Sequence, residues 1–334
     1  MSYRTEENAI KWKIRRIRAI VISVIVVIVV AVCIFCAFVP PHTWPYYFYL
    51  PVVSARQEGE LRMHFIDVGQ GDCTLIELPD GKTMMIDGGN GEKDNSTAII
   101  RYLKALNIGR LDYLVLTHVD SDHCGGLDDV MSYVSVGTIY YPEEPNAAIN
   151  SEYAQFYEKL SGSSCEKEYN RQGIKLTSSS QSYAYEFVWI WPYGSDNPNA
   201  DKWVSNEKSA VISLEYVGKK ALFVGDAPSK TLQSLYVQAQ YGLLPEGISL
   251  KDLDLYKVPH HGSSDGINED FLSWISPQQA IISCGKNNSY GHPHEQALTA
   301  LTSLNSTVYR TDEKGNILVT WGADGSNEVK TDRQ

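Results

Sequence analysis

Cysteine is scarce in this chain, and the compositional biases of several special protein classes are missing. Its 334 residues contain six cysteines, too few for a disulfide-built scaffold of this length. Hydrophobic residues make up 43% and charged residues 21%, a balance that excludes a disordered polymer, a collagen and a low-complexity scaffold. We find no internal repeat. The length therefore suits one large or two ordinary globular domains with a substantial core.

Two nucleotide-binding motifs are also absent from the sequence. The pattern Gly-x-x-x-x-Gly-Lys-Ser/Thr of a P-loop does not occur. Gly69 and Gly71 follow a predicted strand, but Thr74 stands where a dinucleotide-binding loop has its third glycine. Residues 74–78 then read as a strand and not as the helix that binds a pyrophosphate. Both kinds of nucleotide site are thereby excluded.

Basic residues are few over most of the chain. Residues 1–18 carry six basic and two acidic side chains, whereas residues 40–334 carry 23 basic and 38 acidic ones, a net charge of −15. An acidic body repels phosphate polymers at long range. The composition therefore disfavours broad nucleic-acid binding. A local basic patch stays open as an alternative.

Charge is completely missing from residues 19–39, an apolar segment that contains one serine and two cysteines. A helix of this length spans roughly 31 Å at ~1.5 Å per residue, which matches the hydrocarbon core of a bilayer. A cleaved signal peptide is the alternative, but its apolar stretch is about 7–15 residues long and ends in small residues. Here the segment ends in the bulky pair Phe38 and Val39, which favours an uncleaved signal anchor.

The residues that flank the apolar segment predict its orientation. The basic tail of residues 1–18 is expected to stay in the cytoplasm, because Lys and Arg are retained on that side. Aromatic residues cluster at 44–49, which suits the outer interface of the membrane, and residues 40–60 read as a linker. We therefore expect residues 61–334 to form an extracytoplasmic domain that a single pass attaches to the cell membrane.

Strand and helix patterns alternate through residues 61–334, which predicts one α/β domain. Apolar runs predict strands at residues 61–68, 74–78, 83–86, 111–117, 136–141, 187–191, 210–216, 221–224 and 280–283. Periodic apolar residues predict helices at residues 96–106, 127–134, 152–160, 229–240 and 295–304. Apart from the helix at 152–160, the stretch 142–182 reads as a polar, irregular insertion near whatever site exists.

A dense group of imidazoles and carboxylates follows the predicted strand at 111–117. His118, Asp120, Asp122 and His123 lie within six residues, and two glycines come shortly after them. Gathering these side chains is costly unless a cation neutralises the carboxylates. The alternative is a solvated loop whose histidines merely pack. The pattern favours a metal site.

This group belongs to a longer series of motifs. In order, the chain contains FIDVGQGD at 65–72, IDGG at 86–89, HVDSDH at 118–123, LFVGDA at 222–227, KVPHHGS at 257–263, YGHP at 290–293, RTD at 310–312 and GNI at 315–317. With these motifs the sequence resembles the metallo-β-lactamase superfamily from about residue 62 to 322. It resembles most the branch of the C-terminal domain of ComEC-type competence proteins and the teichoic-acid phosphorylcholine esterases. The resemblance implies an αββα sandwich with a dinuclear metal centre.

The metal ligands that the resemblance implies are His118, Asp120, Asp122, His123, Asp226 and His261. His118 and Asp120 would bind one ion, and Asp122, His123 and His261 would bind the other. Asp226 would bridge both ions and take part in catalysis. Two such cations can lower the pKa of a bound water to about 7 and stabilise both oxygens of an in-line displacement. Zn is the first choice for three carboxylates and three imidazoles, and Mn and Fe are also compatible.

Two departures from the commonest superfamily pattern concern this centre. Position 120 is Asp where many members have His, and the third-motif His is absent from the segment that contains Asn206 and Ser209. The ComEC-like branch usually has Asn and Ser there, so both residues are candidates for the surroundings of the metals. The first ion is thereby short of protein ligands, which argues for a more open site and against a β-lactamase.

Further polar residues are expected around the metals. His260 adjoins the ligand His261 but should point elsewhere, because neighbouring side chains of an extended chain alternate. By resemblance it faces the substrate, as general acid or as a hydrogen-bond donor to phosphate. A packed histidine is the alternative. His292 would bind phosphate, enter the metal sphere or brace its loop. Asp67, Asp72 and Asp87 are interpreted as groups that orient loops and ligands, with turn capping as the alternative.

These features together predict a membrane-anchored, extracytoplasmic, metal-dependent hydrolase. The expected reaction is hydrolysis of a phosphoester, either small or part of the cell envelope, by a hydroxide that two metal ions hold. Two other functions stay open: a ComEC-like DNA nuclease, and a non-catalytic binding or signalling domain that keeps the fold. The sequence does not assign an oligomeric state.

Overall fold

The structure, a computed structural model, describes residues 3–144, 146, 148–193 and 205–333, without the side chains of residues 3–7 and 42. Two compact units meet in the sequence between Leu50 and Pro51. The first holds the apolar segment, and the second holds all the motifs of the predicted site.

One long helix dominates the first unit. Helix α1 (Tyr3–Phe38) runs through both the basic tail and the apolar segment. A 3₁₀ turn (Pro41–Tyr47) follows, in which the rings of Trp44 and Tyr47 lie 5.9 and 5.4 Å from that of Phe35. From Asn8 to Phe38 the helix is long and apolar enough to cross a membrane, as the sequence predicts for residues 19–39.

The second unit contains two β-sheets. The strands of the first sheet, in spatial order, are β15 (Asn327–Thr331), β14 (Ile317–Trp321), β1 (Leu61–Phe65), β2 (Thr74–Glu77), β3 (Thr83–Ile86), β4 (Arg110–Val115), β5 (Ser135–Tyr141) and β6 (Glu166–Tyr169). Those of the second sheet are β13 (Thr307–Arg310), β12 (Gln279–Ile282), β11 (Leu255–Lys257), β10 (Lys219–Phe223), β9 (Val211–Tyr216), β8 (Tyr185–Trp191) and β7 (Lys175–Thr177).

Each sheet combines a parallel half with an antiparallel half. Strands β3 to β6 are parallel in the first sheet, and strands β10 to β13 are parallel in the second. The remaining pairs are antiparallel, with Phe65 of β1 opposite Thr74 and Ile317. Because the carboxyl ends of parallel strands lie along one edge, the loops after them are brought together, as is usual for sites on α/β sheets.

Helices cover the outer face of each sheet. The first sheet packs against α2 (Lys93–Ala105), α4 (Leu127–Tyr133) and α5 (Ser151–Gly162). The second packs against α6 (Ser229–Gln240), α7 (Glu269–Ile275) and α8 (Glu295–Ser303). Two short helices, α3 (Ser121–Cys124) and α9 (Thr311–Lys314), lie in the connections. The predicted αββα sandwich is thereby confirmed.

Apolar side chains form three cores, one between the sheets and one beneath each helical layer. In the central core the rings of Phe65 and Phe223 stack with their centroids 6.4 Å apart, and Trp189 is completely buried. Cys124 and Cys284 are buried in the outer cores, and all six cysteines of the chain are free. Hydrophobic burial on both faces of both sheets therefore stabilises the sandwich.

Several regions differ from their predicted structure. Strands β11 and β13 to β15 and helix α7 lie where no element was predicted, and two predicted segments also differ. The stretch 142–182, predicted as irregular outside one helix, also contains β6 and β7, which extend one edge of each sheet. Their side chains are largely exposed, so neither strand shows an apolar pattern. Residues 51–60, predicted as linker, belong to the folded unit, because the carbonyls of Ser54 and Gly59 accept hydrogen bonds from the buried Arg62 and Tyr216 side chains.

Candidate metal centre

The predicted metal ligands lie at the carboxyl ends of parallel strands from both sheets. His118 follows β4 in the first sheet, and Asp122 and His123 lie in α3 shortly after it. Asp226 follows β10 and His261 follows β11, both in the second sheet. The site thus forms where the edges of the two sheets meet, and no continuous stretch of the chain could build it.

Glycines allow the loops that carry the ligands to pack closely. At Gly71, where φ is +146°, a Cβ atom would lie 2.5 Å from the carbonyl oxygen of Asp122. At Gly125, directly after α3, a Cβ atom would lie 2.4 Å from the carbonyl carbon of Asn90. Distances below 3 Å are not tolerated, so a side chain at either position would push α3 away from its neighbours.

The carboxylate of Asp226 lies at the middle of the site. Its Oδ1 atom is 3.1 Å from Nε2 of His123, and its Oδ2 atom is 3.9 Å from Nε2 of His118 and 3.7 Å from Nε2 of His261. All four side chains are buried. One carboxylate therefore faces imidazoles from both sheets, as a bridging ligand would.

Of the two remaining predicted ligands, Asp122 lies inside the cluster and Asp120 lies beside it. Oδ2 of Asp122 is 3.0 Å from Nε2 of His261, and these two residues form a compact group with His123. A second compact group consists of His118, His123 and Asp226. Asp120 belongs to neither group: its side chain is 41% exposed, and its Oδ2 atom is 3.7 Å from Nε2 of His118.

Hydrogen bonds fix the orientation of all three buried imidazoles. Nδ1 of His123 donates to Asp87 Oδ2 (2.8 Å), and Nδ1 of His261 donates to the carbonyl of Ser283 (2.9 Å). The Thr117 hydroxyl donates to Asp87 Oδ2 (2.8 Å), so its oxygen is free to accept from Nδ1 of His118 (3.0 Å). Each ring thereby points Nε2 into the site, the arrangement in which polar groups behind histidine ligands prepare them for a metal.

Three of the atoms that face the centre of the site lack hydrogen-bond partners. Nε2 of His118, Nε2 of His123 and Oδ1 of Asp226 are buried and make no hydrogen bond of acceptable geometry. Unpaired buried polar atoms are costly, and a cation among nitrogen and oxygen lone pairs removes that cost. The residues present therefore fit divalent metal ions, and imidazole with carboxylate suits Zn, Mn and Fe.

The charges at the site are strongly coupled. Burial alone would lower the pKa of His123 and of His261. The carboxylate of Asp226, with neighbouring carboxylates, instead raises the pKa of His123 well above its usual range and that of His261 to about 10. Burial would raise the pKa of Asp226, but these imidazoles hold it well below its usual value. A cation at the site thus has to displace protons from histidine, which links metal binding to pH.

A buried ion pair stands behind His261. Nζ of Lys257 donates to Oδ2 of Asp72 at 2.6 Å, and Oδ1 of Asp72 lies 3.4 Å from Nδ1 of His261. The backbone N–H of Asp72 donates to the carbonyl of Asp122 (3.1 Å). Asp72 thereby connects the loop after β1 to α3 and to β11.

The other predicted residues lie at different distances from the cluster. The Ser209 hydroxyl accepts from the backbone N–H of Asp226 (3.1 Å) and so holds the loop after β10. Asn206 lies in the same turn, where its carbonyl accepts from the N–H of Ser209 (3.2 Å). Asp67 lies apart from the cluster. Its carboxylate accepts hydrogen bonds from the backbone N–H of Gly69 and from Arg333, which matches the alternative role of turn capping.

His260 reaches the site by a geometry that the sequence did not predict. Neighbouring side chains alternate only along an extended chain. His260 and His261 instead have φ values of 49° and 55°, in the left-handed region. Both rings consequently turn toward Asp226: Nε2 of His260 is 3.8 Å from its Oδ2 atom. The His260 side chain remains 28% exposed, whereas that of His261 is buried, so His260 forms the accessible side of the site.

His292 lies above the two histidines of the loop after β11. Its ring centroid is 5.6 Å from that of His260 and 6.1 Å from that of His261. Burial, with the neighbouring imidazoles His261 and His260, lowers the pKa of His292 to about 4, which leaves this ring neutral near pH 7. Its Nδ1 atom is buried without a hydrogen-bond partner.

Several residues that the sequence reasoning missed support this site. They are Thr117, Lys257 and Ser283, which contact predicted ligands or their neighbours, and Tyr290 and His294, which lie beside His292. Lys257 had a usable signal, because it is the first residue of the KVPHHGS motif. Thr117 and Ser283 end predicted strands, and nothing in their type distinguishes them from ordinary strand residues.

The fold and this site define the class of the protein. The chain belongs to the metallo-β-lactamase superfamily, whose family model matches residues 66–286. The domain is thus one of a family of metal-dependent hydrolases, and it confirms the resemblance that the motifs indicated.

Curated relatives place the domain in the ComEC-like group. ComE operon protein 3 of Bacillus subtilis (strain 168) is 30% identical over 293 residues, which cover 81% of this chain and 34% of that protein. Competence protein ComA of Neisseria gonorrhoeae is 29% identical over 272 residues, with shares of 81% and 34%. The chain therefore spans about a third of the length of the curated relatives it matches.

Solved structures are similar to this chain at much lower identity. A metallo-β-lactamase from Cronobacter sakazakii is 9% identical, with a TM-score of 0.38 over 58% of this chain and 76% of that one.

Proposed function

We propose that this protein is a membrane-anchored phosphodiesterase that works outside the cytoplasm. The observation that carries the proposal is the convergence of unpaired atoms on one point, Nε2 of His118, Nε2 of His123 and Oδ1 of Asp226. A binding or signalling domain without metal gains nothing from keeping such atoms buried and unsatisfied.

The proposed ligands are the six that the motifs indicate. His118 with Asp120 and the pair His123 and His261 with Asp122 would hold two divalent ions, and Asp226 would contact both. When bound, such ions supply a nucleophile at neutral pH and neutralise charge on the phosphoryl oxygens. Three imidazoles fixed through Nδ1 make this a preorganised site, which reduces the cost of reorganisation during the reaction.

His260 is the proposed general acid. It is the accessible histidine of the site, and its Nε2 atom lies on the side of Asp226 that faces solvent. From there it can donate a proton to the oxygen of the leaving group. Oδ2 of Asp265 lies 3.9 Å from Nδ1 of this ring.

The proposed location of the protein rests on the first unit. The apolar part of α1 is proposed to span the membrane, with the basic residues before it in the cytoplasm. The domain from residue 51 onward would then act on a phosphodiester in the cell envelope or outside the cell.

A ComEC-like DNA nuclease is the second candidate function. The name of one curated relative, Competence protein ComA, associates that protein with competence, and under this alternative DNA would be the substrate. The net charge of −11 favours a small substrate over a long polymer.

A substrate panel tests the proposal directly. The full chain in detergent micelles is incubated with Zn or Mn and with simple phosphodiesters, a choline phosphate ester, nucleotides, single-stranded DNA and a β-lactam. We expect hydrolysis of phosphodiesters that EDTA abolishes and metal restores. DNA cleavage that far exceeds the cleavage of every small ester would favour the nuclease. Absence of bound metal after Zn or Mn loading would reject the proposal in favour of a binding domain.

His260→Gln provides a test of the general acid. We expect kcat to fall by about 10²–10⁴ for an ester with an alkoxide leaving group, because general acid catalysis contributes on that scale. A p-nitrophenyl ester of the same phosphate should lose far less, since p-nitrophenolate leaves without protonation. Both rates are measured on one preparation whose metal content is unchanged. An equal loss on the two esters would contradict the assigned role.

A further inference from the structure

A row of aromatic rings leads from the candidate metal centre to the protein surface. The ring of His292 lies 6.1 Å from that of the buried His261, with an angle of 28° between their planes. The ring of Tyr290 lies 5.5 Å beyond His292 at an angle of 18°. Tyr290 itself is 65% exposed. Nearly parallel rings at these distances form a stack, and its outermost member is open to solvent.

The loop that carries Tyr290 is held in place by hydrogen bonds. The N–H of Tyr290 donates to Oδ1 of Asn288 (3.1 Å), and its carbonyl accepts from Nε2 of His294 (3.2 Å). Nδ1 of His294 accepts in turn from the N–H of Ser264 (3.0 Å), shortly after the loop of His260 and His261. The backbone of Tyr290 is thereby held relative to the metal centre, and an aromatic side chain with only two χ angles loses little entropy when a ligand stacks on it.

We infer that Tyr290 is a platform on which a nucleobase of the substrate stacks while the adjacent phosphodiester occupies the metal centre. The inference rests on the proposed phosphodiesterase function and adds the substrate class, a nucleotide or the end of a single-stranded oligonucleotide. Every base has a π face, so such a platform accepts all of them. It needs no wide basic surface, and it is therefore compatible with the acidic composition of the domain.

The geometry favours a planar base over a quaternary ammonium group. Choline-like cations are bound in cages of several aromatic rings. Among the residues that the structure describes, Tyr290 stacks on the ring of His292 and is still 65% exposed. An open single face on top of a stack suits another flat ring.

Binding of short oligonucleotides tests the inference independently of turnover. The probes are tetrathymidylate with phosphorothioate linkages, which resist hydrolysis, and an abasic tetramer with the same backbone. Calorimetry on the full chain in detergent micelles with Mn compares the wild type with Tyr290→Ala and Tyr290→Phe. We expect Tyr290→Ala to weaken tetrathymidylate binding roughly 5- to 100-fold, since base stacking on aromatic residues contributes on that scale. Tyr290→Phe should stay within about twofold of the wild type, and the abasic tetramer should bind all three proteins alike.

The outcomes separate this inference from the proposed function. Equal tetrathymidylate binding by the wild type and Tyr290→Ala, or a parallel loss of the abasic tetramer, would overturn the platform. Binding that depends on Tyr290 in a protein that cleaves no phosphodiester would keep the platform and reject the proposed activity. A choline phosphate ester whose KM alone rises in Tyr290→Ala would show cation recognition and overturn the nucleobase assignment.

Discussion

Asp226→Asn should lose bound metal and phosphodiesterase activity together while the fold remains. The substitution removes the one carboxylate that faces the imidazoles of His118, His123 and His261. Removing one partner from a set of buried charges costs about 3–5 kcal/mol, which corresponds to metal binding that is roughly 10²- to 10⁴-fold weaker. The backbone N–H at 226 still reaches the Ser209 hydroxyl, so the loop should keep its conformation. Elemental analysis after dialysis measures the metal, and near-ultraviolet circular dichroism measures the fold.

Asp252→Asn is the matched control for this experiment. Asp252 is exposed and has a φ of 53°, a backbone conformation that Asn also tolerates. The same change of charge is thus made far from the cluster, and we expect wild-type metal content and turnover. If Asp226→Asn likewise keeps its metal and its activity, the assigned centre is wrong.

Lys257→Met should destabilise the domain by about 3–5 kcal/mol, because it leaves the buried Asp72 carboxylate without its cation. Nζ of Lys257 lies 2.6 Å from Oδ2 of Asp72, and both side chains are almost fully buried. The loss should appear as a lower midpoint of urea denaturation for the full chain in detergent micelles. Adding Asp72→Asn to the variant removes the stranded charge and should restore part of the stability.

Lys175→Met is the control for burial. Lys175 pairs with Glu186 at 3.7 Å, but the two side chains are 43% and 38% exposed. Exposed pairs contribute about 1 kcal/mol or less, so this variant should denature almost like the wild type. Similar losses in Lys257→Met and Lys175→Met would contradict the importance of the buried pair.

The pH dependence of the Lys257→Met effect follows from Asp72. Burial alone would raise the pKa of Asp72, but Lys257 and His261 hold it below the ordinary value of 3.8. A carboxyl whose pKa is lowered in the folded state contributes stability above its unfolded pKa and loses it as the pH falls. The difference in unfolding free energy between wild type and variant should therefore shrink as the pH approaches 3.8 and falls below it. A difference that stays constant as the pH falls from 5 to 2 would contradict this account.

Local patterns were sufficient to predict most elements of the fold. Helix α6 has the predicted bounds of 229–240 because it has a clear apolar period. The predicted strand at 83–86 coincides with β3, an apolar run that follows an Asp-Gly turn. Strands β6 and β7 were missed because they are exposed edge strands, which show no apolar alternation. Strand β11 was missed because it has three residues, too few for any period to be visible.

The sequence by itself determined the apolar helix, the order of the motifs and the types of residue that could hold metal, since these depend on neighbours along the chain. Only the tertiary structure decided which of them meet. Asp226 and His261 come from a different sheet than His118, and the left-handed backbone at His260 and His261 turns both rings to the same carboxylate. Lys257 beside Asp72 and His292 above His261 likewise depend on how separate segments pack. Such contacts arise because two sheets bury a common core, which brings loops far apart in sequence to one edge.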